Sequence, residues 1–508
     1  MLARVMLVVM ALLLGSCSAG SLTPPQEDGF SSGDGDGAAD DGGGEEAPDG
    51  GDPAGDGAAD TGSDPGADPA DAGGDNADAG PDDCGRVVTF EQGLVPQRYL
   101  HVAPAGSDGS GDGSAQNPYA TIEHAARQAT PGTAVVIHAG SYAGGIYLEG
   151  IRGRADAPIW IGGAAGEARP VIEGGNQALH LVRPRYLVVH DLEARGGAQN
   201  GINCDDGGDY GDAEAARFVV FRGLDIHDVG GDGNQDCLKL SGLDDYWVLD
   251  SRFARCGGDM SGSGIDHVGC HRGLIRGCRF EQNSGNAIQC KGGSSDIDIE
   301  ANLLVEPGER GVNMGGSTGY QYFRPPLDPG AENAEARRIR VQANVIIGGT
   351  TALAFVGCVD CLAAHNTIVS PQRWLLRILQ ETVSDSTYTF APCRDNQVVN
   401  NIFWFERGQI STYLNIGPDT EPASFTFSHN LWYAADDAGA STPDLPAAET
   451  AGIYGRDPAF VDPAGGDYHP DPTSPAAGSG TDWPGATGSD GDGRCFASPP
   501  SRGAYEVP

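Results

Sequence analysis

Of the 31 basic residues in this 508-residue chain, two are lysines, Lys239 and Lys291, and the other 29 are arginines. Burial or a nearby cation can lower the pKa of a lysine but hardly that of an arginine. A lysine is therefore the basic side chain that can serve as a general base. Both lysines belong to a set of short alternating runs: Gly201-Ile202-Asn203-Cys204, Cys237-Leu238-Lys239-Leu240, Gly264-Ile265-Asp266-His267, Ala287-Ile288-Gln289-Cys290 and Gly311-Val312-Asn313-Met314. Apolar and polar residues alternate with period two, so Ile202, Leu238, Ile265, Ile288 and Val312 point one way. Asn203, Lys239, Asp266, Gln289 and Asn313 point the other way, with Asp205, Asp236, Lys291 and Arg310 on or beside the same face. Gly201, Gly264, Ala287 and Gly311 are small enough to leave a groove along that face. Amines, carboxylates and amides gathered in one groove suit the transfer of a proton to or from a bound, charged substrate.

Such a groove needs a rigid stack to hold it, and the chain is a repeat. Further β-rich runs recur, the closest of them 22, 23 and 27 residues apart, and five begin with Asn: Asn302, Asn344, Asn366, Asn401 and Asn430. Asparagine tolerates left-handed turns and can hydrogen-bond to neighbours above and below, so stacked asparagines suit one corner of a coil of parallel strands. Each coil buries its apolar side chains on the next, and no single coil is stable alone. A sandwich would need regular two-residue Asn-Gly or Asp-Gly hairpin turns, which are missing. The fold expected is all-β, a single-stranded right-handed parallel β-helix with an N-terminal capping helix. Two loops flank the middle coils, at 205–216 and 315–338, and the second carries Tyr320, Tyr322, Phe323 and Arg324. Tyr320 and Tyr322 are candidates to stack on sugar rings and Arg324 to fork onto a carboxylate. The alternative is that these residues pack the loop onto the coil. By alternation His267 points inward as a packed core residue, as do Cys204 and Cys290.

The N-terminus sets an address. After Arg4, the run Val5–Leu14 is apolar, too short to span a bilayer and of the length of a signal-peptide core. It ends in Leu14-Gly15-Ser16-Cys17, which resembles a bacterial lipobox, so residues 1–17 are expected to be a lipoprotein signal with Cys17 lipidated. Residues 18–96 read as an acidic, disordered tether, and 18–83 hold 19 Asp and Glu with no Lys or Arg. The β-helix domain is placed at 97–508. The expected location is the cell envelope, lipid-anchored, periplasmic or on the cell surface, as a monomer. About half of the formal charge of −40 falls outside the tail, which argues against nucleic acid as a partner. Twelve cysteines include Cys17. Cys84 and Cys495 lie outside the repeats and could tie the two ends, and Cys358 and Cys361 form a CxxC with no second CxxC to complete a zinc site.

Both ends of the folded part resemble right-handed parallel β-helix proteins of the pectate-lyase superfamily. The resemblance rests on 98–108, 117–126, Pro131-Gly132-Thr133 and 138–142 at the start, and on 457–462, Asp467-Tyr468, 474–476 and 503–506 at the end. It implies that 121–129 is an amphipathic helix plugging the open end, with Ile122, Ala125, Ala126 and Ala129 as its apolar stripe. In the middle, Asn234-Gln235-Asp236, Gly264-Ile265-Asp266 and 285–293 resemble the family-nine pectate lyases. That resemblance implies calcium held by Asp236 and Asp266, completed by Asp205, Asp206 or Asp259, and Lys291 as the base. Two departures are visible: Gly262 and Ser263 replace the family's paired acids, and Gln289 stands where its lysine is expected. If calcium is lost, Arg310 or Lys239 would have to neutralise the substrate. The implied activity is binding of an acidic, uronic-acid polysaccharide and its cleavage by β-elimination, with Asn203, Gln289 and Asn313 as further sugar contacts. The alternatives are a non-catalytic carbohydrate-binding or structural lipoprotein, and a uronate epimerase.

Overall fold

In the computed structural model, the residues described are 84–507, apart from 232–233 and 259–260. Cys17 and Asp259 therefore lie outside the described residues, as does the signal segment. Three long sheets of ten, thirteen and twelve strands run the length of the fold. Their strand pairs are parallel, and among the described strand pairs a lone antiparallel one joins Phe460–Asp462 to Asp467–Pro470. The chain visits the sheets in turn. Asn286–Lys291 lies in the ten-stranded sheet, Ser294–Glu300 in the thirteen-stranded one, Leu303–Val305 in the twelve-stranded one, and Arg310–Gly315 returns to the first. This is a right-handed parallel β-helix, not a sandwich.

The alternation read from sequence is what builds it. Ile202, Leu238, Ile265, Ile288 and Val312 are paired rung to rung and wholly buried, each capping the one before. The core is one continuous column of such side chains, with Cys204, His267 and Cys290 inside it as expected.

The asparagine corner forms as a ladder. The Asn302 Nδ2 donates to Asn344 Oδ1 at 3.0 Å, Asn344 to Asn366 at 3.0 Å, Asn366 to Asn401 at 3.0 Å, and Asn401 to Asn430 at 2.9 Å. Each acceptor oxygen also takes the backbone N–H of the asparagine before it, and Glu449 closes the row by accepting from Asn430. The left-handed residue is not the asparagine itself but the one preceding it: Ala301, Ala343, His365, Asn400 and His429 all have φ between 51° and 58°. The asparagine side chain rewards that turn instead of making it.

At the first coils the capping helix is shorter than the expected 121–129. It runs Ile122–Ala126 and is capped by Thr121, whose hydroxyl accepts from the His124 N–H at 3.2 Å. Beyond it, Gln128 and Ala129 donate to carbonyls three residues back, tightening the last turn. The tether also ends earlier than composition suggested. Cys84 is disulfide-bonded to Cys495, and Glu91 pairs with Arg222 at 2.9 Å. Phe90 packs edge-on against Tyr186 at 5.5 Å and Phe218 at 6.3 Å, so 84–96 belongs to the folded body. A few apolar residues and one cysteine anchor that stretch, a signal too small to shift its average composition. Cys237 bonds to Cys256 and Cys358 to Cys361, while Cys204, Cys270, Cys278, Cys290 and Cys393 are free and buried.

Candidate functional site

The outward residues of the ten-stranded sheet form one row across ten coils: Tyr147, His180, Asn203, Lys239, Asp266, Gln289, Asn313, Ala354, Arg377 and Asn415. Lys291 stands two residues past Gln289, paired with Val268, on the same side of its strand. The two lysines meet at a single atom. Lys239 Nζ contacts Asp266 Oδ2, and Lys291 Nζ lies 3.6 Å from that same oxygen. Lys239 Nζ is also 3.3 Å from Asp236 Oδ2. The other Asp236 oxygen accepts the Ser263 N–H at 2.7 Å, which fixes the carboxyl beneath the strand.

The cluster is deeply set, with Asp236 fully buried and Asp266 1% exposed. Burial disfavours the Asp266 anion, but the two lysine charges outweigh it and hold its pKa below the usual carboxylate range. Burial likewise works against the Lys239 cation, and Asp266 and Asp236 together overcome it, so its pKa lies above that of a free lysine. For Asp236 burial prevails over Lys239 and pushes the carboxyl up. Lys239 is therefore a fixed cation. Lys291 touches one carboxylate, Asp266, and at longer range.

Several sequence-predicted residues sit elsewhere or are already engaged. Asp205 accepts from Asn203 at 3.0 Å and lies 2.6 Å from His180 Nε2, so its carboxylate is committed away from Asp236 and Asp266. Arg310 pairs with Glu381 at 2.7 Å and faces Arg377, and among the described residues its ion-pair partners include neither Asp236 nor Asp266. Arg324 is not available to a substrate. It grips Asp206 through two nitrogens, one at 3.1 Å, and lies 4.2 Å over the Tyr210 ring, clasping the 205–216 loop to the 315–338 loop. Gly269, at φ +60°, makes way for it, since a Cβ there would meet Arg324 Cβ at 2.4 Å. Tyr320 packs edge-on to Tyr388 at 5.4 Å yet stays 38% exposed, and Phe323 is buried against Phe390 at 5.6 Å. Tyr322 is half-buried, and its carbonyl accepts from Arg324 at 2.9 Å.

The middle of the row is closely covered. Gln289 is 8% exposed, Asn313 is fully buried, and Gly316 sits so near that a Cβ on it would lie 2.6 Å from Gln289 Nε2. Neither amide atom of Asn313 has a hydrogen-bond partner, and Asp266 Oδ1 is also buried and unpartnered. Sequence reasoning missed Glu335. Buried just before the strand Ala336–Gln342, it accepts from the Gly292 N–H at 2.9 Å and from Thr318 N–H and hydroxyl at 2.9 and 2.7 Å. It pins the covering loop next to Lys291, and burial raises its pKa. Tyr147, His180 and Arg377 were missed too, although the period-two alternation that found the middle of the row extends to them.

The residues do not fit calcium. Of the expected ligands among the described residues, Asp236 and Asp266 enclose the Lys239 ammonium, Asp205 is turned to His180, and Asp206 is held by Arg324. Calcium needs six to eight oxygens.

No family model matches the chain, and no curated protein does. A solved structure shares its fold, and others align in part. A crystal structure of pectate lyase Pel9A aligns over 84% of this chain and 100% of its own, with 15% identity and a TM-score of 0.53. A rhamnogalacturonan lyase aligns over 72% of this chain and 90% of its own, with 14% identity and a TM-score of 0.40. An alginate lyase from Paenibacillus sp. str. FPU-7 aligns over 64% and 97%, with 16% identity and a TM-score of 0.39. At 15% identity the likeness to the pectate lyase is one of fold.

Proposed function

We propose that this protein binds an acidic, uronic-acid polysaccharide along the ten-stranded sheet and cleaves it by β-elimination, with Lys291 as the base. The observation that carries this reading is the meeting of the chain's two lysines on Asp266 Oδ2. In β-elimination the C5 proton leaves to a base, the electrons form the C4–C5 double bond, and the C4–O4 bond breaks, its electron pair leaving on O4, which takes a proton from solvent. A neutral amine can take that proton, and cations that face the uronate stabilise the charge that develops. Lys291 takes the first role. Lys239, pinned by two carboxylates, holds Asp266 and through it the position of Lys291, and Gln289 and Asn203 offer hydrogen bonds to sugar hydroxyls.

A second reading, a non-catalytic carbohydrate binder of the same fold, is favoured by the burial of Asp266 and by the cover of Gly316 over Gln289 and Asn313. Pectate, alginate and glycosaminoglycans incubated with the protein separate the two. The lyase reading expects a rise in absorbance near ~235 nm from the unsaturated product on at least one polymer, abolished in Lys291→Ala. Binding without that rise selects the binder. Solvent deuterium entering the polymer without a double bond selects an epimerase. We also place the protein on a membrane through a lipid on Cys17, and expect metabolic labelling with a fatty acid to be lost in Cys17→Ser.

A further inference from the structure

Asp236 and Asp266 come from neighbouring coils, and both carboxylates are shut away from water. Two buried carboxylates at one point are costly unless a cation lies between them. The cation here is a side chain: Lys239 Nζ, 3.3 Å from Asp236 Oδ2 and in contact with Asp266 Oδ2. It arises three residues after Asp236 and directly opposite Asp266 in register, so the backbone delivers the ammonium between the two acids. Asp266 retains one buried oxygen with no partner, which an ammonium cannot reach while it also serves Asp236.

We propose that Lys239 is a covalently attached replacement for a divalent cation: a positioning residue that makes this cluster metal-independent, and whose shortening opens a site for calcium. The inference rests on the proposed function only in taking this cluster as the working site. A carboxylate at position 239 would add its oxygens to those of Asp236 and Asp266, raising the supply from four to the six that calcium needs. An aspartate is short enough to leave the volume of the lysine stem for the ion.

The test is thermal unfolding of the full-length protein with about 5 mM calcium or with excess chelator, read on the β-sheet signal. Residues 18–83 hold 19 acidic side chains that could take up calcium nonspecifically, so the melting of the folded part is the readout and not total bound calcium. The wild type is expected to melt within about 1 °C of the same temperature in both, whereas Lys239→Asp gains about 3 °C or more with calcium and less with magnesium. Hydrogen exchange at 263–268 slows with calcium in the variant alone. Lys239→Asn, which supplies one neutral oxygen, carries the same comparison if the aspartate variant does not fold. A wild type that calcium stabilises or chelator destabilises overturns the proposal, as does the absence of any calcium response in both variants. These outcomes are independent of the elimination assay, so either reading can fail alone.

Discussion

Two rows of stacked polar side chains run up this molecule, and they have opposite character. In the corner row from Asn302 to Asn430, every carboxamide oxygen accepts from the rung before it, and every Nδ2 donates both to the next oxygen and to a backbone carbonyl. In the row from Lys239 to Asn313, residue types change at each rung, and Asp266 Oδ1 and both Asn313 amide atoms are left without partners. A repeated, satisfied row is what stability alone produces. A mixed row with buried unsatisfied atoms is tolerated where something other than stability is at stake.

The contrast can be broken in order of effect. Lys291→Met should lower the elimination rate on the order of 10³-fold while changing unfolding free energy by less than about 1 kcal/mol, from product absorbance and urea unfolding. Asn366→Ala should do the reverse. It strips four hydrogen bonds from the centre of the corner row and should cost on the order of 3 kcal/mol in urea unfolding, with activity per folded molecule unchanged. A loss of activity in Asn366→Ala as large as that in Lys291→Met would erase the distinction.

Each region contains a buried histidine that acid should penalise. Burial lowers the pKa of His267 and of His365 from 6.5 to about 4. The unfolded chain takes up these protons below 6.5 and the folded one does so only near 4. Stability is therefore lost as pH falls through that window, by about 3 kcal/mol for each ring. Urea midpoints between pH 7 and 4 test this, and His267→Gln should make the decline shallower, while Asp236, whose pKa burial raises, works in the opposite direction. The smallest effect is expected from Asn313→Leu. Removing an unpaired buried amide should leave stability unchanged or raise it by about 1 kcal/mol, and should weaken polysaccharide binding in affinity electrophoresis. A clear destabilisation would mean that Asn313 is as well satisfied as the corner asparagines.

What could be read without coordinates follows the same division. The coil, its inward column and the asparagine corner are periodic, and period two together with a repeated residue type is written along the chain. Asn203, Lys239, Asp266, Gln289 and Asn313 share a row for the same reason. The errors fall where partners are set by tertiary packing. Arg324 looked like a carboxylate-binding fork, but its carboxylate is Asp206, 118 residues away on the opposite loop. Asp205 looked like a metal ligand until His180, from an earlier coil, was found to hold it. Glu335 has no periodic signature, because a single buried acid held by Thr318 and Thr382 depends on where two loops cross.

The Cys84–Cys495 bridge joins positions 411 residues apart. Nearly the whole solenoid hangs as a closed loop beside that single bond. Tension drawn between the two ends of the chain would pass from one sulfur to the other and bypass the coils. Such a pull would thus be borne by covalent chemistry, and a reductant would transfer the strain to the rungs.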